Sequence, residues 1–261
     1  PRGRGWRGPV RLMGAAGTAS FAACGEWGVG GGRALREAVA TADADVRATI
    51  LGSDEPAVLS VADGFGASGA NDDDFTALRR TVRESGKPFA IHAGEPDASD
   101  IHPALDLEPD LLIHMVHAGP DHLERVAEQS VPVVACPRTN AVLGVGRPPL
   151  ADLVGATEVA LGTDNVMLGP PDLFREMSFV GATTDLDGRT ILRMATRAGA
   201  SVAGLDSGVI EPGRPADLLV LDGDSDNLAG TVDPVEAVVR RAGPSDVRRR
   251  IVGRHGDDHE G

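Results

Sequence analysis

The apolar run Phe89-Ala-Ile-His-Ala-Gly-Glu95 closes on a histidine and, three residues later, a glutamate. Imidazole nitrogens and carboxylate oxygens are the usual ligands of zinc and ferrous iron. His92 therefore reads as a candidate metal ligand at the end of a strand. Glu95, in the turn above it, can reach a metal-bound water without being a ligand, which is where a general acid/base is needed. Two further strand-like runs carry the same kinds of groups: LLIHMVHA holds His114 and His117, and EVALGTD ends in Asp164. Each residue also has a plainer reading. A strand-end histidine is often a hydrogen-bonded core residue, and Asp164 could cap the next helix. His117 reads as outward-packing, and His122 as a residue of a helix's first turn. His92, Glu95, His114 and Asp164 in this order form a set that chance rarely produces.

A parallel αβ barrel would bring these groups together, because its C-terminal strand ends share one face. The sequence supports such a rhythm. Strands are expected at 17–21, 46–53, 88–93, 111–118, 131–136 and 158–164. Helices are expected at 34–42, 71–86, near 99–107, at 120–129 and 149–155, with helical patterns continuing to about 205. Near-continuous apolar strands alternating with amphipathic helices imply a parallel sheet covered by helices. Residues 16–205 read as this barrel, and 206–254 as a small β-rich segment with strands in LLVLD, AVVRRA and VRRRIV. Residues 1–15 and 255–261 are Gly- and charge-rich and are expected to lack regular structure.

The formal charge of the 261 residues is −14, from 39 acids, 26 of them Asp, against 25 bases of which one is lysine. Such a surface repels phosphates, so nucleic acid is not an expected partner, and it resembles surfaces adapted to high salt. No apolar run is long enough to span a bilayer and no secretory signal pattern is visible, so a cytoplasmic protein with a small-molecule substrate is expected. Cys24 and Cys136 are too few for a disulfide framework or a cysteine-based zinc site. GVGGG at 28–32 does not fit a dinucleotide-binding fingerprint.

From about residue 16 to 254 the chain resembles metal-dependent amidohydrolases of the group containing adenosylhomocysteine/methylthioadenosine deaminases and triazine chlorohydrolases. FAIHAGE, LLIHMVHAGPDHLERVAEQSVPVVACPRTN, VALGTDN and GVIEPGRPADLLVLD carry the resemblance. It implies a TIM-type (β/α)8 barrel with a β-sandwich remnant, and one divalent metal, zinc first and iron second. It further implies that His92 and Asp164 bind the metal, that Glu95 shuttles protons, that His114 orients the attacking water, and that Asn140 and Asn165 line the substrate pocket. Deamination, or related C–N hydrolysis, of a purine- or pyrimidine-like cyclic amidine is the implied chemistry. Members of this family also carry an HxH pair on the first barrel strand. Here the first histidine is His92 and no two of the seven are spaced HxH. The barrel is thus expected to lack its first strand, and the metal site to be at most half complete. The alternative is a truncated or non-catalytic homologue. An open barrel seam exposes strand edges and favours a homodimer.

Overall fold

Seven parallel strands, hydrogen-bonded in chain order, carry the candidate residues on one rim. The structure is a computed structural model and describes residues 4–25 and 28–253. The order is α1 (Arg4–Ala15), β1 (Ser20–Cys24), α2 (Val29–Thr41), β2 (Arg47–Gly52), β3 (Gly64–Gly69), α3 (Thr76–Glu84), β4 (Phe89–Ala93), α4 (Ile101–Asp106), β5 (Leu111–His114) and α5 (Pro120–Gln129). There follow β6 (Val133–Ala135), α6 (Pro137–Leu143), α7 (Leu150–Ala156), β7 (Val159–Leu161), α8 (Leu173–Thr183), α9 (Gly188–Ala195) and α10 (Arg197–Val202). A two-stranded antiparallel sheet of β8 (Leu218–Leu221) and β9 (Val247–Ile251), with α11 (Pro234–Arg241) between them in sequence, completes the described chain.

Alternation along each strand separates two apolar layers. Phe65, Phe89, Ile91, Leu112, Val133 and Val159 face the helices in the main core, whereas Leu51, Ala90, Leu111 and Ile113 form a small inner cluster. The sheet curls, since the outer edges of β1 and β7 line one cleft. The architecture is therefore α/β and TIM-like, with seven parallel strands in an open curl, as expected.

The local differences have physical causes. Strand β3, GFGASG, reads as a Gly-rich loop in the sequence but is a strand. Its glycines answer to crowding, because a Cβ on Gly66 would lie 2.3 Å from Cys24 Sγ and one on Gly64 2.7 Å from both Leu51 and the Pro88 carbonyl. The segment expected to be irregular forms α1 from Arg4. Trp6, Val10 and Met13 recur at helical spacing and meet the core, Val10 being buried. Pro9 lies inside that helix. AVVRRA lies mostly in α11, not in a strand; Asp233 caps this helix by accepting from Val235 N at 2.9 Å and Glu236 N at 3.2 Å. The small sheet docks on the strand N-termini: Arg250 Nη1 donates to the Thr18 carbonyl at 2.8 Å and Arg47 pairs with Asp217. Residues 255–261 lie outside the described residues. No described helix is long and apolar enough to cross a membrane.

Candidate active site

The turn after β4 explains the IHAGE stretch. His92 lies on the inner face, and its Nδ1 is 2.9 Å from the Ala67 carbonyl of β3. A carbonyl only accepts, so Nδ1 carries a proton, and in the neutral ring the lone pair lies on Nε2. Gly94 then takes φ +64, and a Cβ there would also strike Ile101 Cδ1 at 2.6 Å. Only glycine adopts this bend without strain. Asp100, buried at the start of α4, accepts from Gly94 N at 2.7 Å and holds the bend. The chain thereby folds back, and Glu95 is carried to the rim beside His114.

His114 sits at the end of β5 with φ +78, followed by Met115 at φ +56. The strand therefore stops at His114 and does not run on to residue 118. Two consecutive left-handed residues re-aim the His114 ring against His92, with ring centroids 5.2 Å apart. His114 is buried at 2% exposure. Burial and the neighbouring His92 lower its pKa to about 3, against a smaller opposing effect of the Asn140 hydrogen bond. The ring is neutral at physiological pH. Its Nδ1 lies 3.1 Å from Asn140 Nδ2. The amide donates, so the His114 proton sits on Nε2, which is 3.5 Å from Glu95 Oε2. Asn140 Nδ2 also reaches Glu95 Oε1 at 3.3 Å. One fully buried amide thus bridges the two groups, and its Oδ1 has no hydrogen-bond partner among the described residues.

Asp164 lies just beyond β7 with φ +52. It caps no helix; Asp172 caps α8 by accepting from Phe174 N at 2.9 Å. Although Asp164 opens to solvent, the protein packed around its carboxyl raises its pKa, opposed by His92 and the Asn165 N–H. The Glu95 pKa is also raised, first by burial and then by Asp164, with His92 opposing. Among the described residues, Glu95, His114 and Asp164 each offer a ligand atom, all within 4.8 Å of one another. His92 stands beside this group, stacked on His114. Asn165 is exposed and its Oδ1 accepts from Met167 N at 2.9 Å, shaping the loop after β7.

The CPRTN stretch proves to be a short helix, α6, whose residues tie the rim together. Arg138 Nε contacts Glu176 Oε1 of α8 at 2.7 Å, and Arg138 Nη2 donates to the Pro170 carbonyl at 2.8 Å. Thr139 Oγ1 donates to the Thr163 carbonyl, next to Asp164, at 3.0 Å. Arg138, Thr139, Glu176 and Asp100 were not singled out from the sequence, because their roles rest on partners distant in the chain. His117 is exposed. His102 and His122 pair on the surface, ring centroids 4.5 Å apart, with Arg125 against His102. The Cys24 thiol pKa is pushed up to about 12 by burial and by Asp164, and that of Cys136 is also raised by burial. Neither is a ready thiolate ligand or nucleophile.

Residues 10–252 match the model of the Amidohydrolase family. The chain is 33% identical over 247 residues to an Archaeoglobus fulgidus protein provisionally named an aminohydrolase, covering 93% of this chain and 70% of that protein. It is 34% identical over 197 residues to a 5-methylthioadenosine/S-adenosylhomocysteine deaminase of Halobacterium salinarum, covering 65% of this chain but 45% of the relative. A zinc-bound adenosine deaminase from Xanthomonas campestris superposes with a TM-score of 0.79 at 20% identity, covering 94% of this chain and 66% of that one. The last likeness establishes the fold.

Proposed function

The chain belongs to the amidohydrolase family, and from that premise we propose that it hydrolyses a C–N bond of a purine- or pyrimidine-like cyclic amidine, releasing ammonia. The observation that carries this reading is the convergence of Glu95, His114 and Asp164 within 4.8 Å at one strand-end rim. Asp164 of this group offers a carboxylate to a divalent cation such as zinc or iron, and Glu95 and His114 stand beside it for proton transfer. His92 fits as a holder too: its Nδ1–H is fixed on a main-chain carbonyl, the support that leaves Nε2 free to ligate. His92 and Asp164 would hold the ion. A bound divalent cation supplies Lewis acidity and makes water a nucleophile near neutral pH.

The chain's own groups do the rest. Asp164 accepts the proton that the attacking water loses. Neutral His114 presents its Nε2–H to orient that water and polarise the ring being attacked. Glu95, with its raised pKa, is suited to carry a proton to the ring nitrogen and then to the leaving amine, since proton carriers work best with a pKa nearer the working pH. Asn140 holds Glu95 and His114 in register. The ring carbon gains the water oxygen and loses nitrogen as ammonia. Two protein ligands leave an ion mostly hydrated, so metal binding is expected to be weak and turnover slow.

The test is ammonia release by the full chain with added zinc or iron(II), on a panel of purine and pyrimidine bases and nucleosides. The name of the Halobacterium relative puts adenosine-type nucleosides first. Glu95→Gln should reduce turnover by about 10²-fold or more and leave metal content unchanged. Loss of metal in that variant would instead make Glu95 a ligand. No two histidines of these 261 residues are spaced HxH, which favours a second reading, a truncated or non-catalytic homologue with an incomplete metal site. A folded chain that takes up no metal and releases no ammonia across the panel would establish it.

A further inference from the structure

Helices α4 and α5 begin directly behind the two turns that carry the site. Asp100, the residue before α4, holds the Gly94 bend by accepting from Gly94 N at 2.7 Å. The Gly94 carbonyl in turn accepts from His117 N at 3.0 Å, in the segment that joins His114 to α5. On the surface the two helices are linked by His102 and His122, with ring centroids 4.5 Å apart. His122 is the third residue of α5, and its Nδ1 accepts from Gly119 N at 2.9 Å. A side chain that reaches back from this position to the N-cap N–H is ordinarily glutamate or glutamine. Here it is an imidazole, the side chain whose charge changes near neutral pH. Arg125 Nη1 lies 3.1 Å from His102 Nδ1. A guanidinium only donates, so that nitrogen accepts as well. Both rings therefore use an Nδ1 lone pair, which an imidazolium lacks.

We propose that His102 and His122 form an acid-sensitive latch between α4 and α5, closed while both rings are neutral and released when His122 takes up a proton. A proton on His122 Nδ1 sets one N–H against the Gly119 N–H and abolishes the cap. The imidazolium also stands in the first turn of α5, where the helix dipole disfavours a cation, and beside His102 and Arg125. Burial first, and then His102, lowers the His122 pKa; Arg125 adds to this and Asp121 opposes it. From α4 the pair also meets Asp106, which accepts from Arg125 Nη2 at 2.7 Å. Helix α7, packed on the other side of α5, carries Asp152 as its one charged residue, and Asp152 is not among the groups that shift His122. Because the folded pKa is lowered, the latch is complete above about pH 6.5 and weakens as the pH falls below it. Release loosens the starts of both helices, and with them the Gly94 bend that carries Glu95. The latch does not depend on the hydrolytic reading above; only its consequence for turnover rests on it.

The test is hydrogen–deuterium exchange of the full chain, read by mass spectrometry over residues 115–125. Each rate is divided by that of an unstructured peptide of the same sequence at the same pH, which gives a protection factor. His122→Gln still accepts from Gly119 N but cannot take up a proton. Between about pH 7.5 and about pH 5.5, protection in wild type should fall about threefold to tenfold more than in His122→Gln, tenfold being the limit for one proton refused by the closed latch. His122→Arg carries a fixed charge and accepts nothing, so at the higher pH it should already show the low protection that wild type reaches at the lower. An equal fall in wild type and His122→Gln would assign the loss to other groups, His114 among them, and overturn the proposal. A flat profile in wild type would overturn it too. The glutamine comparison decides the matter even if His122→Arg does not fold. Exchange is read without reference to ammonia release, so failure of the latch and failure of the hydrolytic reading are separate results.

Discussion

His114 is the residue whose environment departs furthest from water among the candidate groups, and that departure is measurable as a pH dependence. A histidine in the unfolded chain titrates near 6.5, whereas here the pKa is lowered to about 3. Between those values unfolded chains take up a proton that folded chains refuse. Stability attached to this residue is therefore complete above pH 6.5 and is lost as pH falls toward 3, by up to about 1.4 kcal/mol per pH unit. Urea unfolding of chelator-treated protein from about pH 7 to pH 5 should show wild type losing stability more steeply than His114→Gln by up to that slope. Parallel profiles would mean the ring is not held neutral. Glu95 and Asp164, with raised pKa values, act in the opposite sense and are common to both proteins. His92, Glu95, His114 and Asp164 were legible in the sequence because each falls at the end of an apolar run. The bridging place of Asn140 was not. Its partners lie 45 and 26 residues away in the chain, and no local pattern records which buried groups packing will bring together.

At the scale of elements, two contacts decide whether the rim holds its shape. The Cys24 side chain of β1 reaches past β2 to β3, so that Gly66→Ala would place a methyl 2.3 Å from its Sγ. Overpacking of this kind costs about 1–3 kcal/mol. Cys24→Gly in the same chain should recover much of the loss, whereas Cys24→Gly alone should destabilise by leaving a hole. A thermal-melt comparison of the three variants checks this; additive losses would show that the two positions do not share one space. The second contact joins α6 to α8. Glu176 is fully buried, and burial raises its pKa against the opposing effect of Arg138. Arg138→Met leaves that acid without its partner and should cost about 3–5 kcal/mol, while Arg138→Met with Glu176→Leu should be far milder. Equal destabilisation of the single and double variants would deny that an unpaired buried charge is the cause. Elements with strong apolar periodicity, such as β4, β5 and α5, could be read from sequence within a few residues. Strand β3 could not, because its glycines look like a loop until the neighbouring strand is present to exclude side chains. Helix α1 was hidden in the same way, since Gly, Arg and Pro mask three apolar residues at helical spacing.

For the whole molecule, the charge is the property most directly legible, since it needs no fold to be counted. The 39 acids exceed the 25 bases by 14, and folding brings that excess onto one surface. Ion pairs such as Arg36–Asp63 at 2.6 Å and Arg125–Asp106 at 2.7 Å are exposed or partly exposed and contribute little individually. Added salt weakens those pairs and also weakens the repulsion among the remaining acids. With so large an excess the repulsion is the larger effect, so salt should stabilise. The shape of the response separates screening from general salting-out. The Debye length falls from about 30 Å at 0.01 M to about 10 Å at 0.1 M and about 3 Å at 1 M. Screening is therefore mostly complete by a few tenths molar, whereas exclusion of salt from apolar surface keeps growing with concentration. In KCl the melting temperature should rise steeply at low concentration and then flatten. A gain of about 1–2 kcal/mol corresponds to roughly 2–8 °C for a chain of this size. Neutralising several acids, for example Asp72, Asp73 and Asp74 to Asn, should reduce the steep phase and leave the later slope unchanged. A melting temperature that is flat or falls across this range would show that the exposed ion pairs, and not the net charge, govern the surface.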